Sequence, residues 1–147
     1  MFKRILLPTD GSELSRKAIK KGISFAKSID AGVVGFFSPA DYSGVLYSEY
    51  IPPNLMSRDQ FFANAEKAAK KHLAFVEKTA AASGVPYEGY HAPSDAPWEA
   101  IIEAAKKKRC DLIFMASHGR KGLSALVLGS QASKVLTHST VPVLVYR

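Results

Sequence analysis

The chain has 147 residues, with 20 Lys or Arg against 13 Asp or Glu and a net charge of +7; 47% of residues are hydrophobic and 22% charged. This composition excludes a disordered chain. The length suits one domain over residues 1–147, with a core that needs neither disulfides nor metal. A single cysteine, Cys110, excludes a disulfide framework. No apolar run approaches the ~20 residues of a membrane span, and Met1–Leu7 is too short for a signal peptide. A cytoplasmic protein without a membrane partner is therefore expected.

Taken in order, Ile5-Leu6-Leu7 reads as a buried strand. Leu14, Ala18, Gly22, Phe25 and Ile29 then recur at helical spacing, and Asp10 with Glu13 reads as a capping box in front of them. Val33 to Phe37 forms a second strand. Residues 40 to 56, with Tyr42, Tyr47, Tyr50, Pro52 and Pro53, lack periodicity and read as a surface loop or a flap over a pocket. Phe62, Ala65, Ala69, Leu73, Val76 and Ala80 mark a second helix, opened by Ser57 and Gln60 and closed by Gly84 and Pro86. Tyr87 to Ala92 is a weaker strand suited to an outer position. A third helix carries Trp98, Ile101, Ile102 and Ala105, with Pro97 in its first turn. Leu112 to Met115 is a buried strand, a last helix runs from about Ser130 to His138, and Val143 to Tyr146 is the final strand, read like the other apolar runs as covered on both faces. The alternation βαβαβαβαβ predicts a doubly wound α/β sheet with right-handed crossovers.

In such sheets ligands bind beyond the carboxyl ends of the strands. After the first strand stands Pro8-Thr9-Asp10-Gly11-Ser12, which is neither a dinucleotide fingerprint nor a P-loop. Asp10 is a helix cap and a candidate ligand contact. The strand ending in Met115-Ala116 is followed by Ser117-His118-Gly119-Arg120-Lys121-Gly122, and Gly129-Ser130 open the last helix. Glycines allow close backbone approach, helix-start amides favour an anion, the Ser130 hydroxyl can donate to a phosphate, and Arg120 and Lys121 add positive charge.

These residues resemble the universal stress protein family of the small single-domain type, from Ile5-Leu6-Leu7-Pro8-Thr9-Asp10-Gly11-Ser12 to Val141-Pro142-Val143-Leu144-Val145. The family's nucleotide-binding motif G-x2-G-x9-G-[ST] lies on Gly119 and Gly129-Ser130, with Ala116 at its first position. The resemblance implies five parallel strands in order 3-2-1-4-5, Rossmann-like, with ATP and Mg²⁺ across the ends of strands 1 and 4. It implies an adenine side at Pro8, Thr9, Asp10 and Ser38, and contacts from Met115, Ala116, His118, Gly119, Arg120, Gly122, Gly129, Ser130, Gln131 and Ala132, with the triphosphate in the loop from Gly119 to Ser130. An extended backbone would tolerate Ala116; a positive φ there would cost about 1 kcal/mol or more. A homodimer through the last strand, at Val143 and Val145, is also implied. The resemblance implies a role in stress-response regulation or protection. The alternative is a dimeric interaction module of the same fold that binds no nucleotide.

Other chemistry is thin. His72, His91, His118 and His138 have no zinc spacing with each other or with Cys110. Ser117 and His118 are adjacent and are expected on opposite faces of a strand, so no nucleophile–base pair is expected. His118 is read as a structural hydrogen-bonding residue, His138 as a cap of the last helix, Trp98 as core and Cys110 as an inert core thiol. No paired carboxylates stand ready to activate water, so any hydrolysis is expected to be slow. The basic segments, Arg16 to Lys21, Lys67 to Lys71 and Lys106 to Arg109, read as solvated helix faces. A nucleic-acid partner would rest on charge alone.

Overall fold

The computed structural model describes residues 1–41, 57–119 and 127–147. Among these, β1 (Arg4–Pro8), α1 (Glu13–Ser28), β2 (Gly32–Phe37), α2 (Arg58–Ser83), β3 (Tyr87–His91), α3 (Pro97–Lys107), β4 (Leu112–Ala116), α4 (Ser130–His138) and β5 (Val143–Tyr146) follow in chain order. The five strands form one parallel sheet in the order β3-β2-β1-β4-β5. The expected order is thus present, and β3 occupies the outer position its mixed composition predicts. Most of the predicted 40–56 loop lies outside the described residues.

Each face of the sheet carries two helices over its own core. Ile5, Leu7, Val33 and Phe114 point to one face, where Ile19, Ile23 and Ala26 of α1 and Val76 and Ala80 of α2 cover them. Leu6, Val34, Phe36, Ile113 and Met115 point to the other, beneath Ile101, Ile102 and Ala105 of α3 and Ala132 and Val135 of α4. Adjacent strand residues thus feed different cores, which is why β1, β2 and β4 read as continuous apolar runs. Cys110 is buried beside the second core, and desolvation pushes its thiol up to about 11.

Helix ends follow local chemistry. Ser57 and Gln60 form the predicted capping box of α2, and Gly84 closes it at φ +70°. Pro97 stands at the start of α3. The first helix requires a correction: its cap is Ser12, whose side chain accepts from the Ser15 N–H at 3.2 Å. Asp10, two residues earlier, accepts the Ser12 N–H at 2.9 Å and shapes the turn into the helix. Gly11 permits that turn with a φ of +77°.

Three further expectations are corrected. Phe62, expected on the apolar stripe of α2, is 37% exposed beneath the Arg58 guanidinium. Along β5, which lies at the sheet edge, Leu144 is 37% exposed, while Val143 and Val145 pack against the second core and Tyr146 against the first. His138 does not cap α4; the Ser139 N–H bonds the Val135 carbonyl, and the His138 ring packs 4.8 Å from Trp98, which borders the second core.

Candidate functional site

The strand order reverses between β1 and β4, where the crossovers leave to opposite faces. At the carboxyl ends of β1, β2 and β4 a cavity of about 660 Å³ opens. Of the fourteen contacts expected from the sequence, twelve line it: Pro8, Thr9, Asp10, Ser38, Met115, Ala116, His118, Gly119, Gly129, Ser130, Gln131 and Ala132. Arg120 and Gly122 lie outside the described residues.

The turn after β1 is fixed from beneath. The Thr9 N–H donates to the Phe36 carbonyl at 2.8 Å. Its hydroxyl oxygen accepts from the Ser15 hydroxyl at 2.9 Å and from the Gly11 N–H at 3.1 Å. Thr9 and Ser15 are both buried, so these bonds are shielded from water and hold the turn rigidly. At the end of β2, the Ser38 hydroxyl donates to the Ala92 carbonyl at 3.0 Å, joining the cavity wall to the end of β3.

Across the cavity, the two glycines expected in a phosphate loop differ: Gly129 is held to glycine by backbone, whereas Gly119 faces a side chain. A β-carbon on Gly119 would lie 2.2 Å from Asp10 Oδ2, so the loops after β1 and β4 meet at this carboxylate. A β-carbon on Gly129 would lie 3.0 Å from both the Ser117 carbonyl oxygen and His118 Cα. The Gly129 N–H donates to that same carbonyl at 2.7 Å, seating the start of α4 against the end of β4. Gly129 brings no side-chain cap, so the first-turn amides of Ser130, Gln131 and Ala132 receive no capping acceptor from it. They line the cavity at the positive end of the helix dipole.

Ala116 is the last residue of β4, paired with Tyr146. Its backbone is extended, and the positive-φ residues other than glycine are Asp30 and Arg109 among the described residues. Alanine therefore fits without backbone strain at the position the family motif gives to glycine.

Ser117 and His118 require a correction. The chain bends at Ser117, just past β4, so strand alternation does not separate the two side chains. Ser117 Oγ lies 3.1 Å from His118 Nδ1. Gln131 also does more than line the cavity: its side-chain oxygen accepts the Trp98 N–H at 3.0 Å, capping α3, for which Ala96 supplies no cap. Among the described residues no group of three or more His, Cys, Asp or Glu is placed to hold a metal ion.

Sequence reading missed Phe36, Phe37, Ser15, Pro97, Ile101, Val127 and Leu128 as lining residues. The two phenylalanines stand at a strand end and could have been found by that rule alone. Pro97 and Ile101 reach the cavity because α3 packs over the sheet, which no local motif announces.

The chain is thus an open, doubly wound parallel α/β sheet with a cavity at its switch point, the place where such sheets commonly hold ligands. The family model for the universal stress protein family matches residues 1–147. Universal stress protein MJ0531 of Methanocaldococcus jannaschii is 33% identical, covering 100% of this chain and 83% of its own. The solved structure of protein MJ0577, described as a structure-based assignment of biochemical function, superposes with a TM-score of 0.80 at 26% identity, covering 99% of this chain and 95% of that one. A universal stress protein solved in complex with cAMP superposes with a TM-score of 0.71 at 21% identity, covering 99% and 97%. The chain belongs to the universal stress protein family.

Proposed function

We propose that this family member binds an adenine nucleotide, ATP with Mg²⁺, in the cavity at the strand ends. It would act as a single-domain, cytoplasmic factor in stress-response regulation or protection, and would assemble as a homodimer through β5. The observation that carries the reading is the convergence of twelve sequence-expected residues on one cavity of about 660 Å³, within the size range of small-ligand sites. Phe36, Phe37, Ile101 and Met115 offer apolar walls that suit a base. The uncapped start of α4 and the Ser130 hydroxyl suit phosphates. A triphosphate would hold Mg²⁺ largely through its own oxygens, as this ion commonly does. A protein of the same fold was solved in complex with cAMP, an adenine nucleotide, which is consistent with this reading; the case for this chain rests on its own cavity.

The alternative, an interaction module that binds no nucleotide, rests on Ala116. The extended backbone there takes alanine without strain, which leaves only its added methyl group in the cavity wall to favour this alternative. The test is to denature the purified protein and analyse what is released by chromatography and mass spectrometry. Adenine nucleotide near one per chain is expected. No nucleotide released, together with no binding of added ATP at millimolar concentration, would hand the reading to the interaction module.

A further inference from the structure

The chain's positive charge is not spread evenly. Helices α1 and α2 cover the same face of the sheet. Counted from the sequence, α1 has five basic residues and one acidic, and α2 five and three, a net of six positive charges. On the opposite face α3 has two of each and α4 one lysine, a net of one. All ten basic side chains of α1 and α2 are exposed. Lys17 pairs with Glu13 and Lys70 with Glu66. Lys20, Lys21, Lys27, Lys67, Lys71 and Lys78 have no ion pair among the described residues. The two helices are joined where the Arg16 guanidinium lies 5.1 Å over the Phe75 ring, so their basic stripes form one field.

We propose that the α1–α2 face is a docking surface for an anionic lipid surface, which it meets peripherally. The charge complementarity is with headgroup phosphates. Eight of the ten cations are lysines, compact point charges that suit phosphates at no fixed geometry; base readout relies on bidentate side chains. They extend along a 26-residue helix, about 39 Å at the α-helical rise, and along the shorter helix beside it. Lys67, Lys71 and Lys78 lie on the side of α2 opposite its buried Ala69, Val76 and Ala80, and Lys17, Lys20 and Lys21 lie on the side of α1 away from its buried residues, so these lysines share one outward-facing surface broad enough to meet a plane. No helix among the described residues is long and apolar enough to cross a membrane, so the contact is a surface one.

The experiment is co-sedimentation of the full chain, at physiological ionic strength, with vesicles of equimolar phosphatidylcholine and phosphatidylglycerol, beside vesicles of phosphatidylcholine alone. Two triple variants separate face from net charge: Lys20→Gln/Lys67→Gln/Lys71→Gln on the α1–α2 face, and Lys106→Gln/Lys107→Gln/Lys134→Gln on the other. A basic residue near an anionic surface contributes about fivefold to binding, so the first variant is expected to bind on the order of a hundredfold more weakly. The second should sediment like the parent, and none should sediment with phosphatidylcholine alone. Failure of the parent to sediment with the anionic vesicles, or equal losses in the two triple variants, overturns the proposal. So does tighter binding to duplex DNA at the same salt through the same three lysines, which would make nucleic acid the occupant.

Discussion

Gly129 is fixed by what surrounds it. Its φ of −61° is open to any residue, so its requirement is space: a side chain must displace the Ser117 carbonyl and the His118 backbone. The sequence reading assigned this glycine to the ligand's side of the loop, where a side chain would meet phosphates. The structure adds a contact on the protein's side. Gly129→Val is therefore expected to lose nucleotide binding and also to lower the melting temperature, by a few degrees for a cost of about 1–3 kcal/mol in a domain of this size. Calorimetric melts of the ligand-free protein check it. An unchanged melting temperature would mean that the start of α4 is not seated against β4 as described. Ser130→Ala, which removes only an exposed hydroxyl, should leave the melt unchanged.

At the scale of elements, β1, β3 and the end of α3 are tied by one charged cluster. Glu88 accepts from both Arg4 and Lys108. The Lys108 hydrogen bond, with the positive charge of Lys108 and Arg4, holds its carboxyl below the ordinary value of 4.5. A carboxylate lowered in the folded state adds stability above its unfolded pKa, and that contribution is lost as pH falls through the lowered folded value. The group is 40% exposed, so solvent screening keeps the effect small. Melts taken from neutral pH downward should fall more steeply for the parent than for Glu88→Gln below pH 4.5; parallel curves would remove the cluster from the account. At the other edge, the Ile113 and Ser117 N–H groups donate to the Pro142 and Tyr146 carbonyls. The even residues of β5 thus bond inward and Val143 and Val145 present their backbone to the open edge. If that edge pairs with a second copy, Val145→Pro removes an outward N–H while sparing the β4–β5 ladder. Light scattering should then show a dimeric parent and a monomeric variant; a variant that stays dimeric places any interface elsewhere. Aspartate at these valines would be a poorer test, because both border the second core.

Across the whole molecule, the alternation of apolar runs with helical stripes was enough to predict a doubly wound sheet; strand ends and a glycine-spaced loop pointed to the right end of it, and the family resemblance supplied most of the individual lining residues. Boundaries were legible where a local rule acts alone, as at Ser57 with Gln60, Pro97 and Gly84. The start of α1 misled because Asp10 and Ser12 are both cap-forming residues two positions apart, and only the backbone path decides between them. The Ser117–His118 contact was hidden because strand alternation fails at the bend that ends β4. Gln131 capping α3 from another helix, and Ile101 reaching the cavity, depend on how α3 and α4 pack and leave no trace in local spacing.

The most direct test of the nucleotide assignment is calorimetric titration of ATP into the parent, Ser130→Ala and Ala116→Gly, with NAD as the comparison ligand. The parent should bind ATP well ahead of NAD, since the turn after β1 has Gly11 alone where a dinucleotide fingerprint has several glycines. Ser130→Ala should bind roughly 10- to 150-fold more weakly, the effect of about 1.5–3 kcal/mol from one hydrogen bond to a charged group. Ala116→Gly should bind equally or more tightly, since the change removes a methyl group from the cavity wall. A parent that binds ATP with Ser130→Ala unaffected would contradict the placing of the phosphates at the start of α4, and tighter binding of NAD would contradict the assignment of the cavity to an adenine mononucleotide.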